Sequence, residues 1–188
     1  MNLPNKLTLI RVILIPIFML LFLCCGTVGL YLSLLVFLLA AATDYLDGQI
    51  ARRTRSITTF GKLMDPMADK LLTLSALICF LAADVDFINA GVVMIIIARE
   101  LIVTGVRMLA LEENRVIAAS FFGKLKTVSQ FLMIIAVIVN EIIDVYRQPM
   151  QGGVWNMIVL ILVVLSVVLT VLSGMDYLYK NRKLLTFK

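Results

Sequence analysis

Four aspartates, set as two pairs in otherwise apolar sequence, are the residues of this chain best suited to chemistry. Asp44 and Asp47 stand in Asp-Tyr-Leu-Asp-Gly-Gln-Ile-Ala-Arg (44–52). Asp65 and Asp69 stand in Gly-Lys-Leu-Met-Asp-Pro-Met-Ala-Asp (61–69). An ionised carboxylate in or beside hydrocarbon is costly, so a group of four needs neutralising. Donors that are all oxygen favour hard cations, Mg2+ or Mn2+. Two such ions balance four carboxylates in formal charge and still present positive field to a phosphate, as a two-metal clamp on phosphoryl transfer does. Asp44 and Asp47, three residues apart, share a helix face, as do Asp65 and Asp69, four apart. Gly48 and Ala51 fall on the face of Asp44, where small residues let a bulky group approach the backbone.

Other roles exist for single members of this set. Asp65 before Pro66 also reads as an N-cap with proline at the first helical position. Asp44 and Asp47 could form ion pairs with Arg52, Lys62 or Lys70. Intramembrane acids also line cation pathways, which makes a cation transporter the competing class. That class does not account for the small residues at 48 and 51, nor for the basic cluster described below. The chain has no histidine, so proton transfer must use carboxylates, lysine or water. No Ser/His or Cys/His pair can form, which favours direct displacement over a covalent intermediate. Cys24, Cys25 and Cys79 lie in apolar surroundings without metal-ligand or disulfide spacing.

The elements that must position these residues are membrane helices. Of 188 residues, 62% are hydrophobic, far above the roughly 45–50% of a soluble domain. A spanning helix needs about 20 apolar residues. Six stretches qualify, over about 7–25, 29–55, 61–83, 87–109, 120–143 and 154–180. Short connections predict an all-α integral membrane protein, a six-transmembrane-helix bundle formed by a single domain over 1–188. No cleavable signal peptide is expected, because 1–11 merges into the first apolar stretch.

Basic residues set the orientation. With six spans, Lys6, Arg52, Arg53, Arg55, Lys62, Arg107, Arg115, Lys124, Lys126 and the Lys180–Lys188 tail fall on one side. The opposite loops hold only Arg147, beside Asp84, Asp86, Glu141 and Asp144. Both termini are therefore expected in the cytoplasm. Counted from the outer ends of their helices, Asp44 and Asp69 lie ~22 and ~21 Å deep, and Asp47 and Asp65 both ~27 Å deep. The pairs meet near the inner edge of a hydrocarbon core ~30 Å thick. Arg99, Arg107, Lys124 and Lys126 fall at or just beyond that level, which predicts a polar chamber facing the cytoplasm.

The spacing Asp44-x-x-Asp47-Gly48-x-x-Ala51-Arg52, eight residues, Gly61-x-x-x-Asp65-x-x-x-Asp69 resembles the signature of the CDP-alcohol phosphotransferase family in full. The likeness extends to 2–8 with Arg11, to Ala98–Arg107, to 123–127 and to Ser173-Gly174 with Asp176-Tyr177. In these stretches the chain is similar to the bacterial phosphatidylglycerophosphate synthase branch.

The resemblance implies transfer of a phosphatidyl group from CDP-diacylglycerol to sn-glycerol 3-phosphate, with release of CMP. Two divalent cations, Mg2+ or Mn2+, would be held by Asp44, Asp47 and Asp65 and by Asp44, Asp65 and Asp69. Asp69 would take the proton of the attacking hydroxyl. Gly48, Arg52 and Gly61 would line the cytidine diphosphate site, with Thr58 and a Pro4-Asn5 turn as further candidates. A phosphorylated acceptor needs cations beside the metals, and Arg99, Arg107, Lys124 and Lys126 supply them. Interfacial snorkelling is the competing account of the two lysines, and Arg99 could instead pair with neighbouring Glu100 or an aspartate. A relative with another acceptor, of the cardiolipin synthase type, is the near alternative. The expected setting is the bacterial cytoplasmic membrane, with bilayer lipid and a second copy of the chain as partners and no nucleic acid.

Overall fold

The computed structural model describes residues 3–54, 59–112, 120–146 and 153–182, with side chains over 9–43, 70–110, 120–146 and 153–182. The described residues form six helices and no strand. They are α1 (Leu3–Cys24), α2 (Gly26–Thr54), α3 (Thr59–Ala82), α4 (Ala90–Glu112), α5 (Phe121–Asp144) and α6 (Val154–Lys180). Each matches one of the six apolar stretches, with ends differing by up to four residues. At ~1.5 Å per residue all six are long enough to cross ~30 Å of hydrocarbon. Three are also apolar enough by composition: α2 over Gly26–Thr43, α5 and α6. Among the residues with described side chains, α1 is apolar over Leu9–Cys24 and α3 over Lys70–Ala82, and α4 carries Arg99, Glu100 and Arg107 within its length. The protein is a helical membrane protein.

The chain divides into two compact units. The first comprises 1–83 and 138–151, so it holds α1, α2, α3 and the end of α5. A single residue, Cys25, separates α1 from α2, and Gly26 takes φ +55, which no Cβ opposes. The two helices therefore fold back as a hairpin. Across the hairpin the Phe18 ring lies 5.9 Å from Phe37 of α2; on α1 it lies 6.0 Å from Phe22, which in turn lies 5.3 Å from Phe80 of α3. Phe18, Phe37 and Phe80 are fully buried, each such ring pair contributing about 0.5–1.5 kcal/mol beyond area burial. The pairing of Phe22 near the end of α1 with Phe80 near the end of α3 makes these helices parallel, and α2 antiparallel to both.

The second unit comprises 84–137 and 152–188, with α4, most of α5, and α6. The fourth helix starts at Ala90, not near Phe87 as the apolar pattern suggests. Phe87 has φ +68 and Asp84 φ +52, and Asn89 Oδ1 accepts the Val92 N–H at 3.0 Å as an N-cap. Ser120 caps α5 likewise, its Oγ accepting the Gly123 N–H at 3.1 Å. On α6 the buried Ser166, Thr170, Ser173, Gly174 and Tyr177 form one small or polar stripe. The Ser173 hydroxyl bonds back to the Thr170 carbonyl at 3.0 Å, and the Thr170 hydroxyl to the Ser166 carbonyl at 2.7 Å. Small residues at this stripe let neighbouring helices approach closely. Gln130 of α5 donates to Thr170 Oγ1 at 3.2 Å, and Tyr177 packs with Val103 and Val106 of α4.

Candidate functional site

The two aspartate pairs lie in the first unit, one at the end of α2 and one at the start of α3. For Asn5, Asp44, Asp47, Gly48, Arg52, Gly61, Asp65 and Asp69 the description stops at the helical backbone; Thr58 lies outside the described residues. The backbone fixes their heights. The contacts Phe18–Phe37 and Phe22–Phe80 tie the three helices to a common scale. From the Phe18 level toward the start of α1, Asp44 lies about 10 Å along α2 and Asp47 about 15 Å. Along α3, Asp69 lies about 10 Å and Asp65 about 16 Å from that level. Each acid of one pair thus has a counterpart at its own height in the other. Pro4 and Asn5 were expected in a turn; they belong to the first turn of α1, where proline's fixed φ and missing N–H suit a helix start.

Arg11 stands at this height too, about 10 Å from Phe18 on α1. It is fully buried. Arg11 belongs to the N-terminal likeness, and no role was expected for it from the sequence. The signal was the cation itself, seven residues before Phe18 in an apolar run. A buried guanidinium requires negative partners. In this unit the acids at its height are those of the two pairs, since Glu141 and Asp144 belong to the end of α5. A donor set of four carboxylates, with no histidine or cysteine near it in sequence, fits hard divalent cations.

The second unit brings together Arg99 and Lys126 from the basic set. Both donate to Oε1 of Glu100, Arg99 Nη1 at 3.1 Å and Lys126 Nζ in a closer contact. Glu100 and Lys126 are buried, and the Arg99 side chain is 13% exposed. Arg99 Cγ rests against Gly174 of α6, where a Cβ would come within 3.1 Å, and its Nη2 faces Gly123 of α5. The Arg99–Gly174 contact and the packing of Tyr177 on Val103 and Val106 make α4 and α6 parallel. Arg107, two turns beyond Arg99, is exposed and lies over the Tyr177 ring at 5.7 Å from its centre. Lys124 is exposed near the start of α5. Lys180 and Arg182 lie at the finish of α6, toward the Arg107 end of α4, while Asp84 and Asp86 precede the start of α4. Glu100, one of the partners expected for Arg99, also takes Lys126, a link for which the sequence carried no signal.

The family model for CDP-alcohol phosphatidyltransferase matches residues 1–172. The chain is 36% identical to the CDP-diacylglycerol–glycerol-3-phosphate 3-phosphatidyltransferase of Bacillus subtilis, over 96% of this chain and 95% of that protein. It is 34% identical to the enzyme of the same name from Haemophilus influenzae, over 94% and 91% of the two chains. The Rickettsia bellii enzyme of that name is also 34% identical, over 97% and 96%. The paired aspartates on α2 and α3, the length and the helical plan all agree with this match, and the chain belongs to the CDP-alcohol phosphatidyltransferase family of enzymes.

Proposed function

We propose that this chain transfers the phosphatidyl group of CDP-diacylglycerol to sn-glycerol 3-phosphate, giving phosphatidylglycerophosphate and CMP. The observation that carries the reading is the matched height of Asp44 with Asp69 and of Asp47 with Asp65 on neighbouring helices, beneath full-length similarity to enzymes named for this reaction. Asp44, Asp47, Asp65 and Asp69 would hold two divalent cations, Mg2+ or Mn2+, which would supply positive charge to offset that building on the diphosphate as CMP departs.

The chain's own groups do the rest. Asp69 accepts the proton of the attacking hydroxyl. That oxygen forms its bond to the phosphorus carrying the diacylglycerol, and the bond from this phosphorus to the CMP oxygen breaks. Asn5, Gly48, Arg52, Thr58 and Gly61 line the cytidine diphosphate site. Arg99, Arg107, Lys124 and Lys126 attract the phosphate of the acceptor. Arg11 offsets carboxylate charge at the height of Asp44 and Asp69.

All six helices cross the bacterial cytoplasmic membrane as one domain, with both termini and a polar chamber on the cytoplasmic side. Arg107 of α4, Lys124 near the start of α5, and Lys180 and Arg182 at the finish of α6 support this orientation. The donor then keeps its acyl chains in the bilayer, while glycerol 3-phosphate and CMP exchange with the cytoplasm. Family resemblance supports a homodimer. The deciding experiment incubates purified protein with CDP-diacylglycerol, Mg2+ or Mn2+ and single candidate acceptors, and follows CMP. Release that depends on glycerol 3-phosphate is expected. Release with phosphatidylglycerol alone would assign a cardiolipin-type acceptor. No release, together with cation flux in vesicles, would overturn the enzyme reading.

A further inference from the structure

Consecutive residues on a helix point about 100° apart, so a side-chain bond between them requires one to bend around the axis. Arg99 does this to reach Glu100 at 3.1 Å. A long arginine on a membrane helix would otherwise extend toward the interface. Its route is set by three helices: Glu100 on α4 holds Nη1, Gly174 on α6 backs the aliphatic stem, and Gly123 on α5 lies beside Nη2. Glu100 is itself fixed by Lys126, which bonds the same Oε1.

The anchoring is specific to one corner of the guanidinium. Nη1 is taken by Glu100, whereas the buried Nε has no acceptor among the described residues. Nε and Nη2 form the side-on fork of arginine, whose two parallel N–H bonds match two oxygens of a phosphate. An Arg99 bound to Glu100 through that fork would have no such edge to offer. We propose that Glu100 is a positioning residue, holding Arg99 by Nη1 so that the Nε/Nη2 edge is presented to the phosphate monoester of the acceptor. The inference rests on the acceptor assignment above. Glu100 does not touch substrate; it acts through Arg99. The simpler role, a counter-charge for buried Lys126 alone, predicts a different outcome.

The test uses the full chain with CDP-diacylglycerol, Mn2+ and glycerol 3-phosphate. Glu100→Gln should raise the acceptor KM by about tenfold or more, the scale of one charge-assisted hydrogen bond, and leave the donor KM within about twofold. Against an Arg99→Lys background, which lacks the fork, the same change should move the acceptor KM by less than about twofold. Glu100→Asp keeps the counter-charge of Lys126 but withdraws the carboxylate by one carbon. It should still raise the acceptor KM several-fold, and it serves where the glutamine variant fails to fold. An unchanged acceptor KM, a parallel rise in both KM values, or an equal effect with Lys at 99 overturns the proposal. Thermal shift with inorganic phosphate separates it from the acceptor reading. Phosphate should raise the melting temperature of the unaltered protein and not of the Glu100→Gln or Arg99→Lys variants, whichever alcohol proves to be the acceptor. Equal shifts in all three remove the fork.

Discussion

Gly174 on α6 is the surface against which Arg99 of α4 lies: a Cβ at 174 would stand 3.1 Å from Arg99 Cγ. That separation is tighter than ordinary van der Waals contact, so the arginine stem must give by a few tenths of an ångström. Gly174→Ala should therefore raise the KM for glycerol 3-phosphate several-fold, with the donor KM unchanged. Gly105 on the same α4 provides the control, because a Cβ there meets nothing within 4 Å. Gly105→Ala should leave both KM values alone and stabilise the helix by about 0.5–1 kcal/mol. Steady-state kinetics and denaturant unfolding in detergent measure both. Equal effects of the two substitutions on the acceptor would show that Arg99 has room to spare.

The carboxylate set gives a sharper expectation. Asp69→Asn retains an oxygen donor at its helix position and removes the proton acceptor. Turnover should fall by about 10²–10⁴, while binding of a CDP-containing ligand changes little. Chelation of divalent cations should abolish CMP release in the unaltered protein, and Mg2+ or Mn2+ should restore it. Near-normal turnover of the asparagine variant assigns the base elsewhere.

Much of this was legible in the sequence because membranes impose simple rules. Six apolar runs gave six helices, since each must satisfy its backbone internally. The equal heights of the aspartates followed from two antiparallel runs counted separately, and the aromatic contacts among Phe18, Phe22, Phe37 and Phe80 support the same heights. Local chemistry moved the start of α4, where the Asn89 cap and the left-handed Phe87 override an apolar pattern that carries on through both. Glu100 was one of the partners the sequence offered for Arg99, but the link of Glu100 to Lys126 was not legible. Their separation along the chain says nothing of side-chain direction, and Glu100 reads as an ordinary acidic neighbour until α5 is laid against α4. Arg11 escaped for the same reason: its importance lies in height and burial, and neither is a property of a motif.

Arg107 differs from Arg99 in exposure, and its substitution should separate binding from folding. Its guanidinium lies 5.7 Å from the centre of the Tyr177 ring, a contact worth about 0.5–1 kcal/mol at an exposed site. Arg107→Ala should cost no more stability than that. If Arg107 also draws in the acceptor, the KM for glycerol 3-phosphate should rise and steepen less with added salt, because a screened charge has been removed. An unchanged acceptor KM assigns Arg107 to the aromatic contact alone.

Arg11 poses the last test, because its proposed partners are themselves the metal-holding acids. The residue is fully buried on α1 at the height of Asp44 and Asp69. Arg11→Met removes a buried cation and leaves its negative partners facing one another. Breaking a buried pair in this way costs about 3–5 kcal/mol. The loss should be largest in metal-free protein and shrink when Mn2+ is added, since the divalent cation supplies the missing positive charge. Unfolding in detergent with chelator and with Mn2+ measures the difference. A loss of the same size in both conditions would place the partners of Arg11 outside the carboxylate set, and leave the four aspartates to be balanced by the bound ions alone.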